Sequence, residues 1–196
     1  MKTILCIAFL LFSLSCFSQV TYNDSLNQFL RSYVANHEVV KGDDKKLMLF
    51  YSIDRTYRVV ASLHLSPATE WLTFKTSGTK TKVFKLYGVL SFVLKGQDCR
   101  LNLYQSQELM TNPEYKNHLF LPFTDSTTGN ETYSSGRYLD LTTTDIQNGT
   151  LVLDFNKAYN PYCAYVSGVY NCPIPPKENA LSIAVQAGEK SFDKRH

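Results

Sequence analysis

The stretch from Glu131 to Glu189 gathers most of the side chains in this chain that could do chemistry. Its first half centres on Arg137, flanked by Glu131 and Asp140. An arginine placed among carboxylates is either an internal strut or a clamp for an anion, because its planar fork matches two oxygens at once. The second half runs from Asp154 through Asn156, Tyr159, Asn160, Tyr162 and Cys163, then from Tyr170 through Cys172 to Asn179. Asp154 or Glu189 could serve as a general base, and Cys163 as a nucleophile beside His64 or His118. A ligand pocket is the other use of these types. Tyr133, Arg137, Tyr159, Asn160 and Asn179 would wall it, with Arg58 as a further cation from upstream. Against both stands a plainer role: Asn and Asp tie down loop backbone through local hydrogen bonds.

Familiar constellations are missing. The chain has no G-x-S-x-G elbow, no phosphate-binding G-x-x-x-x-G-K-[ST] loop, no H-E-x-x-H and no C-x-x-C. Asp125, Thr127 and Asn130 offer oxygens, but their spacing departs from that of a calcium loop, so no metal and no cofactor are expected. A zinc site on Cys163 and Cys172 would lack two clear partners. The net charge of +3 is small and scattered, with Lys80, Lys82 and Lys85 as the densest group. That excludes a nucleic-acid footprint; the partner to expect is a small molecule.

The elements that must position these residues begin after an export signal. Lys2 precedes an apolar run from Ile4 to Leu14, too short to span a bilayer, and small residues follow up to Ser18. Residues 1–18 therefore read as a signal peptide with Gln19 as the new N-terminus. Lipidation at Cys16 is the alternative, weakened by Ser13 where the lipoprotein pattern wants leucine. Export to a periplasm or medium favours pairing of Cys163 with Cys172. Cys99 is left as a buried small hydrophobe.

Residues 19–46 form a helical arm. Leu26, Phe29, Leu30, Tyr33 and Val34 repeat at helical spacing over 24–37. Residues 47–192 form one domain with strands at Leu47–Ile53, Tyr57–Leu65, Glu70–Lys75, Lys82–Lys95, Cys99–Gln105, Leu119–Phe123, Tyr138–Thr142, Thr150–Phe155 and Leu181–Ala187. Turn signals such as Ser77-Gly78 and Gly96-Gln97-Asp98 make neighbours antiparallel. The expected fold is mainly β, an antiparallel barrel or sandwich with an N-terminal amphipathic helix.

Four blocks carry a resemblance: Phe50–Val59; Pro122-Phe123-Thr124-Asp125-Ser126-Thr127 with Glu131-Thr132-Tyr133 and Gly136-Arg137-Tyr138-Leu139-Asp140; Leu153–Ala164; and Cys172-Pro173-Ile174-Pro175-Pro176 with Asn179 and Ala187-Gly188-Glu189-Lys190. Together they resemble the bacterial and archaeal family known as domain of unknown function 1684, over Leu47 to Lys190. Ser134-Ser135 departs from its pattern, standing where a Gly-rich pair is usual. The resemblance implies a mostly β fold and lends no reaction.

Overall fold

The computed structural model describes residues 21–192, so the signal reading of residues 1–18, with Cys16, lies outside the described residues. The chain divides into two compact units, one ending at His37 and the other beginning at Glu38. In the first, helix α1 covers 21–36 of the described residues, where apolar spacing predicts a helix over 24–37. Leu26, Leu30, Tyr33 and Val34 lie on its less exposed side, while Phe29 stays exposed.

The second unit is built on seven strands: β1 Arg58–Leu65, β2 Trp71–Phe74, β3 Lys82–Leu94, β4 Gln97–Ser106, β5 His118–Phe123, β6 Arg137–Thr142 and β7 Thr150–Asp154. A single helical turn, α2 (Gln107–Met110), follows β4. All pairings are antiparallel, in the order β6-β5-β4-β3-β1-β7, with β2 on the first half of β3. The sheet curls into a half-barrel. Its longest pairing is the β3–β4 hairpin, closed by Lys95 and Gly96, both at positive φ, as a tight two-residue turn requires.

A bulge in β3 sorts the apolar side chains onto two faces. Phe84, Leu86, Leu90, Phe92 and Leu94 share one parity and would share one face of an unbroken strand. At Tyr87 the register slips, so that Leu86 opposes Tyr104 and Gly88 opposes Leu103. One extra residue reverses the side-chain phase. Leu90, Phe92 and Leu94 therefore join the main core with Leu101, Leu103, Leu119 and Leu121. Phe84 and Leu86 turn to the opposite face, where Phe74, Tyr104, Phe120 and Tyr138 form a second, aromatic cluster.

Two expected strands are absent. Leu47–Ile53 enters from a 3-10 turn at Gly42–Leu47 and pairs its backbone through one isolated bridge, Phe50 to Glu189. Leu181–Ala187 buries every second side chain, as a strand would: Leu181, Ile183, Val185 and Ala187 all join the main core. Its backbone, however, joins no ladder. Several of its polar groups are met by side chains instead, chief among them Arg137 of the cluster the sequence singles out and Asp125 just before it.

Candidate functional site

Arg137 opens β6 opposite Phe123 of β5 and faces the core side of the sheet, its guanidinium carbon 5.3 Å from the Phe123 ring. The side chain is fully buried. Nη2 donates to Asp125 Oδ2 at 2.9 Å and to the Val185 carbonyl at 2.8 Å. Nη1 donates to the carbonyls of Ala187 and Glu189. Asp125 is equally committed: its Oδ1 accepts from the Thr127 amide and hydroxyl and from the Val185 amide. The guanidinium thus stands where a neighbouring strand would for the carbonyls of 185, 187 and 189, while Leu181 and Ile183 bond the backbone of Thr124 and Ser126. Only Nε lacks an acceptor among the described residues. Two glycines make the approach possible. A Cβ on Gly188 (φ +78°) would lie 2.5 Å from the Ala158 carbonyl, and one on Gly136 (φ +86°) 2.5 Å from the Phe123 carbonyl.

Two buried asparagines play the same part. Asn179 accepts from the Asn102 amide at 2.9 Å and donates to the carbonyls of Asn102 (2.8 Å) and Pro122 (2.7 Å). β4 and β5 pair in register at Tyr104 and Phe120, which sets Asn102 opposite Pro122 two residues on. Proline has no N–H to return to Asn102, so the ladder opens there, and the Asn179 amide closes it with a donor and an acceptor of its own. Asn156 does this for Asp54, accepting from its amide at 3.0 Å and donating to its carbonyl at 2.9 Å.

Glu189 is fully buried. Its carboxylate accepts from the Asn160 amide at 2.9 Å and from the Tyr165 hydroxyl at 2.7 and 2.8 Å. The link to Arg137 runs through its backbone carbonyl, not its carboxylate. The Asn160 side chain donates through Nδ2 to the Lys190 carbonyl at 2.7 Å, and its Oδ1 has no partner among the described residues. Arg137, Asn160 and Glu189 therefore meet around one extended segment, all three buried.

The remaining expected residues lie apart. Tyr133 donates to the Cys163 carbonyl at 3.3 Å. Asp154 ends β7 and caps the next turn by accepting from the Asn156 amide at 3.2 Å. Its strand partner Arg58 is exposed at the start of β1. Cys163 and Cys172 are joined in a disulfide, Cα atoms 6.2 Å apart, so Cys163 offers no thiolate in this state. Cys99 is free and buried in the core, and burial pushes its thiol up. Tyr159 lies in an array that sequence reading missed. Its hydroxyl donates to Asp140 Oδ2 at 2.7 Å, and Asp140 Oδ1 lies 2.9 Å from His118 Nε2. Strand pairing brings His118 and Asp140 together from positions 22 apart, and no local motif announces it. Among the described residues, no three or more His, Cys, Asp and Glu side chains converge as metal ligands.

An accessible space lies elsewhere. Between the segment beginning at Glu38 and the disulfide-closed loop is an open cleft of about 400 Å³. Val39, Val40, Val166 and Val169 give it apolar walls, and Glu38 and Asp44 give it acids. Glu38 accepts from the Tyr162 hydroxyl at 2.9 Å. Burial, and then that hydrogen bond, push the Tyr162 hydroxyl up to about 12. Tyr165 links the cleft to the buried cluster: it lines the cleft while its hydroxyl donates to Glu189. Its acids gave no sequence signal, because Glu38 follows a helix and Asp44 sits in a charged turn.

The family described as "Protein of unknown function (DUF1684)" matches residues 46–190. The solution NMR structure of an uncharacterized protein of Haloarcula marismortui is similar, with 28% identity and a TM-score of 0.65 over 91% of this chain and 99% of that one. No curated protein matches the chain. Among the described residues, no helix is long and apolar enough to cross a membrane.

Proposed function

This chain belongs to DUF1684, a family of unknown function, and from that starting point we propose that it is an exported binding domain that takes a small polar ligand in the cleft beside the disulfide loop. One observation carries the reading. The signature side chains Arg137, Asn156 and Asn179 spend their hydrogen bonds on the protein's own backbone. The cleft, by contrast, is open to solvent and sets valines beside Glu38, Asp44 and two tyrosines, and its size of about 400 Å³ falls in the usual range for a small-molecule site.

An enzyme using Asp154, Glu189 or Cys163 finds less support. The first caps a turn, the second is enclosed, and the third is bonded to Cys172. Native mass spectrometry of the purified protein, with and without Val169→Trp, tests the binding reading. A small molecule retained by the parent and lost from V169W is expected. A molecule held by V169W but lost from a folded Arg137→Met variant would return the site to the Arg137 cluster. Export is tested by N-terminal sequencing of the native protein, which should begin at Gln19; a lipid-modified Cys16 would overturn soluble release.

A further inference from the structure

We infer that the Cys163–Cys172 disulfide is a thiol–disulfide exchange site for an external dithiol, with the Ser77 hydroxyl placed to hold the Cys163 sulfur as it leaves. Both cysteines are half-buried and Ser77 is exposed, so a partner in solution can reach the bond. Ser77 comes from the turn between β2 and β3, outside the loop that the disulfide closes. The loop's own backbone fixes it there. Its amide donates to the Cys172 carbonyl at 3.0 Å, and its Oγ accepts from the Cys172 amide at 3.2 Å. The hydroxyl hydrogen is left to point at Cys163 Sγ, 2.8 Å away.

A disulfide sulfur is a weak acceptor, whereas a thiolate is a strong one. The donor therefore gains most in the reduced state, and it is in place before reduction begins. Cys172 Sγ has a donor as well, the Cys163 amide at 3.3 Å. The Tyr170 carbonyl, 3.5 Å from Cys163 Sγ, works the other way by favouring a neutral thiol. In the exchange, a thiolate of the dithiol attacks Cys172 Sγ. The Cys163–Cys172 bond breaks, and Cys163 departs with the electron pair beside the Ser77 hydroxyl. The partner's second thiol then attacks the partner sulfur of the mixed disulfide and releases Cys172. Two electrons pass to this chain, its two cysteines take up two protons, and the partner leaves as a disulfide. Among the described residues the free cysteine is Cys99, which is buried, so the resolving thiol must come from the partner.

Dithiothreitol is the probe, acting on the folded full-length chain, with alkylation and peptide mass mapping to read each cysteine. The parent should be reduced at Cys163 and Cys172 without unfolding, while Cys99 stays unlabelled. Ser77→Ala should slow that reduction about fivefold, and Ser77→Thr should restore it. In the reduced chains, Ser77→Ala should also move alkylation of Cys163 to higher pH and leave Cys172 where it is. A Ser77 that only braces the loop would give the opposite sign, since a looser loop opens the bond to faster reduction. Reduction of Ser77→Ala at or above the parent's rate, or a parent reduced only once denatured, would overturn the inference.

Discussion

Polar side chains in this domain live in two settings. Around Arg137 and Asn179 they are sealed in and bonded to the backbone of neighbouring segments. Around the cleft they pair tyrosine hydroxyls with carboxylates at a surface open to solvent, as Tyr162 does with Glu38. Both settings are rich in Asn, Tyr, Asp and Glu, so residue type alone cannot tell them apart. What separates them is what the atoms are bonded to. A side chain standing in for a strand has used up its chemistry, and its loss should be felt in stability. A side chain at the cleft should be felt in binding.

The sharpest way to break this contrast is at Arg137. Arg137→Met or Asp125→Ala should cost about 3–5 kcal/mol in denaturant unfolding, because each strands a buried charge or its partners. Replacing Glu38 by Gln should change stability by no more than about 0.5 kcal/mol. A mild Arg137→Met, within 1 kcal/mol of the parent, would sink the claim that the guanidinium replaces a strand. Next comes Asn179→Ala, expected to cost about 3 kcal/mol by leaving the Asn102 amide and the Asn102 and Pro122 carbonyls unpaired. Asn179→Asp should rescue little. It keeps the acceptor for the Asn102 amide and loses the donor for both carbonyls.

These two residues also show where sequence reading succeeds and where it stops. β1, β3 and β4 are legible because their own alternation and turns place them. The sheet's two faces are not, because the phase reversal at Tyr87 leaves the parity of Phe84 to Leu94 looking continuous. Leu181–Ala187 has the period of a strand and is buried like one. Its second half is met by a guanidinium 48 and 50 residues upstream, and hydrophobic patterning carries no record of that. The density of the Glu131–Glu189 cluster was plain from composition. Its role was not, because, Asp125 apart, the partners of Arg137 and Asn179 are backbone carbonyls or amides that have no letter of their own.

The disulfide is the boundary between the settings. Cys163 and Cys172 close a short loop whose residues Tyr165, Val166, Val169 and Tyr170 face the cleft. Reducing it should lower stability by about 2.5–3 kcal/mol in the chain-entropy account. Hydrogen exchange then locates the effect. Amides of 164–171 should lose protection under reductant, whereas Val185 and Asn102, held by Asp125 and Asn179, should keep theirs at the level set by global stability. Loss of protection spread evenly over both regions would mean that the loop and the buried cluster open as one unit.

The smallest effect is an alkaline titration, and it reads the cleft's charge directly. Unfolded tyrosine gives up its proton near 10, while Tyr162 in the folded chain holds its proton to about 12 through burial and then Glu38. Below pH 10 both states are protonated and Tyr162 adds no pH dependence. Between 10 and 12 the unfolded chain releases the proton first, so stability contributed by this group falls as pH rises through that window. Tyr51 reaches about 12 as well, through burial and Glu131, and would blur a measurement on the parent alone. The difference between parent and Glu38→Gln removes that overlap. In the variant, tyrosinate absorbance should gain one group titrating earlier, with the Tyr51 step unmoved. An unchanged curve would mean that Glu38 exerts no field on Tyr162, and the acid wall of the cleft would lose its clearest physical sign.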